Sequence, residues 1–256
     1  MRIATWNVNS LTVRLPRVLD WLEQRQPDVL CLQETKQADA KFPHAELADA
    51  GYAAVHHGEG RWNGVAIVSR VGLDAVMAGF DAPEDELGAR VIAATCGGVR
   101  VVSCYVPNGR SIDSEHYRAK LDWLARLREA LERRPPDEMV VATGDFNVAP
   151  VDADVWDVAA LEGMTHVSPA ERAALAAILD LGYADVFRRL HPEGGVFSWW
   201  DYRDGAFHKG HGMRIDLALT SPALTPFVTD AFVDRDARKG VKPSDHAPVV
   251  IDLALP

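Results

Sequence analysis

Hydrophobic positions along this chain come in short, nearly unbroken runs bounded by polar turns. The runs are rich in Val, Ile and aromatic residues and predict strands over 3–8, 29–33, 52–56, 64–69, 90–96, 99–106, 139–144, 197–200, 215–220, 227–233 and 248–253. Helical periodicity is rarer. Residues 14–24 place Leu15, Val18, Leu19 and Leu22 on one face. Residues 113–134 repeat Tyr117, Leu121, Leu124, Leu127 and Leu131 at helical spacing until Pro135-Pro136 stops them. A third helix is predicted over 169–181, with Ser168 and Glu171 in a capping-box pattern. Strands outnumber helices and many adjoin through short turns, so mixed sheets are expected. No linker, charge block or repeat divides the chain. The expectation is one α/β domain over 1–256, with two packed sheets and helices outside.

Composition narrows the class. With 256 residues, 48% apolar and 25% charged, the chain reads as an ordinary globular protein with length for a sizeable core. No apolar stretch approaches the roughly 18 residues of a membrane helix, and MRIATWNVNS does not read as a signal peptide, so a cytoplasmic protein is expected. Cys31, Cys96 and Cys104 lie inside strand-like runs, an odd number without metal spacing, and read as buried thiols. The net charge of −10 alone argues against nucleic acid. That objection weakens for a site holding a divalent cation, which needs uncompensated carboxylates and tolerates a local basic strip.

The chemistry gathers at strand ends. Asn7 and Asn9 end the first run, Glu34 follows the second, and Tyr105 and Asn108 close VVSCYVPNG. Asp145 and Asn147 follow MVVATG, Asp216 stands early in RIDLAL, and Asp245 and His246 precede PVVIDL. Any one of these reads as a turn-former by itself. An acid inside RIDLAL is harder to explain that way, because a strand interior disfavours Asp and burial demands a partner. Repetition on separate strands points to an assembled site.

The motifs WNVNSL (6–11), LQETK (32–36), NGVAIVSR (63–70), YVPNG (105–109), GDFNVAP (144–150), RIDLAL (214–219) and SDHAPV (244–249) run in order along almost the whole chain. Together they resemble the exonuclease III class of abasic-site endonucleases, within the endonuclease/exonuclease/phosphatase superfamily that includes DNase I. WNVNSL with YVPNG and FSWWDYR (197–203) narrows this to the DNA-repair branch. The resemblance implies a four-layer α/β sandwich of two mixed sheets flanked by helices. It implies Glu34 as principal metal ligand, Asn7 orienting it or completing the shell, and Asp145 positioning or deprotonating the attacking water. Asn147, Tyr105 and Asn108 would donate to the scissile phosphate, and Asp216 would fix the His246 imidazole. Asp245 would hold a second metal or a water network, so metal-binding positions extend over Asn7, Glu34, Asp145, Asn147, Asp245 and His246. Hard oxygen donors suit Mg²⁺, with Mn²⁺ as substitute.

By the same resemblance, Trp199, Trp200 and Met213 would form a pocket for the flipped-out abasic sugar. Candidates for DNA-backbone contact are Arg61, Arg90, Arg110, Arg118, Lys120, Arg203, Lys209, Arg235, Arg238, Lys239 and Lys242, with Arg110 foremost because it follows YVPNG. His166, in GMTHVSP, would project beside the scissile bond and favour 3′ ends over continuous duplex. His208 and His211, three residues apart, read as exposed rather than metal-binding. The expected protein is a monomeric, metal-dependent DNA-repair nuclease acting on duplex DNA. It would cleave 5′ of abasic sites and remove 3′ nucleotides or blocking groups. The alternatives are an enzyme working mainly as a 3′-exonuclease or 3′-phosphatase, a superfamily phosphatase on non-nucleic substrates, and a catalytically silent DNA-binding module.

Overall fold

The computed structural model describes residues 1–80 and 88–255. In chain order the strands are β1 (Arg2–Asn7), β2 (Val29–Gln33), β3 (Ala53–His57), β4 (Val65–Ser69), β5 (Asp74–Ala78), β6 (Val91–Cys96) and β7 (Val99–Tyr105). They continue as β8 (Val140–Asp145), β9 (Ala184–Asp185), β10 (Trp199–Trp200), β11 (Gly212–Met213), β12 (Asp216–Thr220), β13 (Val228–Val233) and β14 (Val249–Leu253). The helices are α1 (Leu11–Arg25), α2 (His44–Asp49), α3 (Glu115–Glu132), α4 (Pro169–Leu179), α5 (Val186–Leu190) and α6 (Ala206–Lys209).

Two six-stranded sheets run in the orders β13-β14-β1-β2-β4-β3 and β5-β6-β7-β8-β12-β9. Both are mixed: β1–β2 and β7–β8 are parallel, and the other pairings antiparallel. Between the sheets, Ile3, Val29, Cys31 and Ile67 meet Ile92, Ala94, Val101 and Val141. Outside the first sheet, α1 packs Val18, Trp21 and Leu22 on Ala4, Trp6 and Leu32. Outside the second, α3 packs Trp123, Leu124 and Leu127 on Val102, Cys104 and Ala142. Strands buried on both faces need continuous apolar runs, which is why they were legible. The layers are helix, sheet, sheet, helix, the expected sandwich.

The three predicted helices form, and Ser168 and Glu171 make the full capping box at α4. Six elements were not foreseen: β5, α2 and the short β9, β11, α5 and α6. β5 is an edge strand with mostly exposed residues and a register shift, so its sequence carries no burial pattern. α2 is six residues long and buries only Leu47. Among the described residues, no helix is long and apolar enough to cross a membrane.

Candidate active site

The two parallel pairs bring four strand ends together. Asn7 ends β1, Glu34 follows β2, and Tyr105 and Asp145 end β7 and β8 as register partners. β12 runs antiparallel to β8, so its first residue, Asp216, pairs with Asp145. The segment before β14, itself antiparallel to β1, brings His246 to the same end. One edge of the sandwich thus collects residues that lie far apart in sequence.

Asp145 is the centre of this group. Its Oδ2 accepts from Asn7 Nδ2 at 2.9 Å and lies 3.8 Å from His246 Nε2. Asn7 Nδ2 also donates to Glu34 Oε1 at 2.9 Å, linking the two carboxylates. His246 Nδ1 lies 2.8 Å from Asp216 Oδ2, which also accepts from Ser198 Oγ at 2.6 Å. Ser198 was not foreseen; it stands in FSWW, where the tryptophans drew attention. Burial pushes the Asp145 carboxyl up to about 7, with Asp216 and Glu34 adding repulsion and His246 opposing them. Burial alone would lower His246, but the Asp216 and Asp145 carboxylates raise it to about 10. The imidazole is therefore cationic at neutral pH.

Glu34 faces a cleft of about 450 Å³ that also touches Lys36, Arg90, Tyr105, Asn108 and Arg110. Burial would raise its carboxyl, but Lys36 and Asn7 hold it below the usual range. Lys36 Nζ lies 2.8 Å from Glu34 Oε2 and donates to Asn9 Oδ1 at 2.6 Å. Asn9 Nδ2 in turn donates to Asp245 Oδ1 at 3.0 Å. Asp245 thus joins the site through Asn9 and Lys36.

Tyr105, beside Glu34 and under the Arg90 guanidinium (4.5 Å from ring centre), is raised well above the usual phenol range by burial and the nearby Glu34 and Asp145 charges. It therefore keeps its proton as a donor. Asn147 donates from its backbone N–H to Asp145 Oδ1 at 2.9 Å, and Asn108 Nδ2 to Asn147 Oδ1 at 3.3 Å.

Several expectations need correction. Trp200 is 1% exposed and packs edge-on against Phe207 5.1 Å away, so it belongs to the core rather than to a sugar pocket. Trp199 stays partly exposed, pairs with Met213 across β10–β11, and donates from Nε1 to Asp245 Oδ2 at 3.2 Å. His166 does not project into solvent. It is buried, and its Nδ1 donates to Asn147 O at 2.7 Å while Nε2 faces Asn108 Nδ2 at 3.4 Å. Burial and Lys120 lower it to about 3, so the ring is neutral. His211 is half-buried, stacked on Trp156 with ring centres 3.8 Å apart. Lys120 is completely buried and Arg238 6% exposed, so neither forms an open basic strip; Arg110 is exposed on the cleft as expected.

The donor set suits a hard cation. Asp145, Asp216 and His246 lie with polar atoms within 4.8 Å of one another, but the cationic imidazole has no lone pair for a metal, so the expected ligand role of His246 does not hold. His246 and Asp216 are engaged with each other, which leaves Glu34 as the carboxylate facing the cleft. Asp216 Oδ1 is buried without a hydrogen-bond partner.

Fold and site together define a class of phosphoester hydrolases. Residues 4–246 match the endonuclease/exonuclease/phosphatase family, and the chain belongs to it. It is 33% identical to exodeoxyribonuclease III of Haemophilus influenzae, over 97% of this chain and 98% of that protein. An AP endonuclease from Archaeoglobus fulgidus shares 40% identity at a TM-score of 0.96 over the full length of both chains. The 3′ phosphatase NExo from Neisseria, solved bound to a product DNA hairpin, shares 43% at 0.95, again over both full lengths. The resemblance to the exonuclease III class holds, and with it the DNase I-like sandwich.

Proposed function

We propose that the protein is a metal-dependent DNA-repair nuclease that hydrolyses the phosphodiester 5′ of abasic sites and clears nucleotides or blocking groups from 3′ ends. One observation carries this reading: Asp145 lies between the Asn7 amide and the His246 imidazolium, beside donors suited to a phosphate. Asp145 orients and deprotonates the attacking water. His246, held by Asp216, stabilises charge developing on the phosphate, and Tyr105, Asn108 and Asn147 supply hydrogen bonds. Glu34, with Asn7 beside it and Asp245 behind, would hold Mg²⁺, or Mn²⁺ in its place. Such a cation supplies Lewis-acid stabilisation of phosphate and leaving-group charge. Trp199 offers an apolar wall for a sugar without its base, with buried Met213 packed behind it, and Arg110 a backbone contact. The bacterial relative supports a cytoplasmic setting.

A second reading is favoured by His166. Its ring bonds Asn147 O and faces Asn108 Nδ2, next to groups proposed to bind the phosphate, and NExo is a 3′ phosphatase. On that reading 3′ processing dominates. The test uses end-labelled duplexes carrying an internal abasic site, a recessed 3′ end or a 3′-phosphate, with inositol phosphates as control, in Mg²⁺. Cleavage of the DNA substrates alone is expected; turnover of inositol phosphates with intact DNA overturns the proposal. His166→Gly raises the ratio of abasic incision to 3′ processing if the second reading is correct, and an unchanged ratio rejects it.

A further inference from the structure

Lys120 lies on the apolar face of α3, between Tyr117 and Trp123, and its side chain has no exposure. An isolated buried ammonium is strongly unfavourable unless its hydrogen bonds are replaced inside the protein. Here they are. Lys120 Nζ donates to Asn147 O at 2.6 Å and to Asn108 O at 3.3 Å, and it pairs with the equally buried Glu171. It reaches the main chain of both Asn108 and Asn147, which the proposed function places beside the phosphate.

Glu171 divides its two oxygens. Oε2 serves the α4 capping box, accepting from Ser168 N at 3.1 Å. Oε1 turns away from the helix to Lys120, to His166 N at 2.9 Å and to Thr165 Oγ1 at 2.8 Å. Thr165 Oγ1 also lies 3.0 Å from Asn108 O. A capping glutamate needs no lysine. This one anchors a cluster touching three loops, those at 108, 147 and 165–168.

The backbone explains why an anchor is needed. Asn147 has φ 51° and His166 φ 80°, left-handed conformations that a side chain disfavours and that persist only where surroundings over-determine them. Lys120 Nζ and His166 Nδ1 both meet Asn147 O. Asn147, so held, fixes Asp145 through its backbone N–H.

We propose that Lys120 and Glu171 are positioning residues: without touching substrate, they lock the Asn108 and Asn147 turns at the separation that phosphate binding and Asp145 orientation require. The catalytic part of this inference rests on the proposed function. The structural part does not, so two kinds of measurement separate them.

The test compares the parent with Lys120→Met/Glu171→Gln, which removes both charges without orphaning either, and with the milder Thr165→Val. Backbone amide NMR shifts in the metal- and DNA-free protein should move at Val106, Asn108, Gly109 and 145–148 and stay in place at 34–36. On the best DNA substrate, kcat should fall about 10²-fold in the double variant and about tenfold in Thr165→Val, as expected for small misplacement of reacting groups. The Mg²⁺ concentration for half-activity should stay unchanged, because Glu34 lies on the opposite sheet. Unmoved amide shifts, or kcat within about threefold of the parent in folded variants, would overturn the proposal. So would a loss of kcat matched by an equal rise in Mg²⁺ requirement. If the double variant does not fold, Thr165→Val and Glu171→Gln decide by the same criteria. A parent inactive on every DNA substrate sinks the proposed function instead, while the amide shifts still report on the lock.

Discussion

Two clusters of buried charge stand two residues apart in the chain, and they are built differently. The Arg214 guanidinium itself is fully paired. It grips both Asp154 oxygens, at 2.6 and 3.0 Å, and both Asp185 oxygens, at 3.0 and 2.6 Å. Arg188 completes the balance on Asp154, and Phe187 lies 5.2 Å beneath the Arg214 guanidinium carbon. Burial would lower Arg214, but the two aspartates raise it well above the arginine range, so its charge is fixed. Around Asp216 the carboxylates outnumber their cations. Glu34, Asp145, Asp216 and Asp245 face one imidazolium and one lysine, one Asp216 oxygen is unpartnered, and the Asp145 carboxyl is pushed up to about 7. A balanced network of bidentate pairs holds a fold together. A network with surplus carboxylate beside a cleft suits a cation or a hydrogen-bond donor.

The largest expected effect sharpens that contrast. Asp145→Asn keeps the shape of the open cluster and removes its base, so kcat should fall on the order of 10⁴-fold, the upper end for general-base loss. Thermal melts should show an intact fold and gel assays the lost turnover; activity within about tenfold of the parent breaks the assignment. Arg214→Met attacks the closed cluster and should do the reverse. Leaving Asp154 and Asp185 buried without their cation costs about 3–5 kcal/mol of stability. Turnover per folded molecule, measured well below the melt, should stay within a few-fold. A fall as deep as that of Asp145→Asn would show that both clusters serve catalysis.

How these clusters read in the sequence follows the same divide. Asp145, Asp216 and His246 stood out because polar residues at strand ends repeat on separate strands and match known motifs. Arg214 sits inside the same RID motif but carries no such signal, because its partners Asp154 and Asp185 lie in a short turn and in the two-residue strand β9, neither with a pattern of its own. The sandwich was legible because its strands bury both faces, while the exposed edge strand β5 left no such trace. Lys120 read as a surface cation, although a lysine in register with Tyr117, Trp123 and Leu124 on an apolar helical face was the available signal of burial. For Trp200, His166 and His211, exposure depends on tertiary packing that no local pattern encodes.

A middle-sized effect tests whether the open cluster acts as one unit. Asp216 holds the imidazole that faces Asp145, so Asp216→Asn and His246→Asn should each lower kcat by about 10²-fold, with the double variant hardly worse. Losses that multiply would mean that Asp216 supports the fold and His246 acts alone.

The smallest effect is a pH dependence, and its sign separates the clusters once more. His246 carries a folded-state value of about 10 against an ordinary 6.5, because its carboxylate neighbours overcome the cost of burial. A group raised on folding contributes stability that is complete below its unfolded value and lost as pH climbs through the folded one. In metal-free protein, the melting temperature of the parent should therefore exceed that of His246→Gln most near pH 6. The gap should narrow steadily as pH rises above 6.5, and close near 10. Arg214 cannot lose its proton in that range, so the gap between the parent and Arg214→Met should stay level over the same interval. Paired melts across that range decide the point. A His246→Gln gap that is also level would mean that the imidazole is neutral in the folded protein, and that the open cluster carries still more uncompensated negative charge than the ion pair with Asp216 allows.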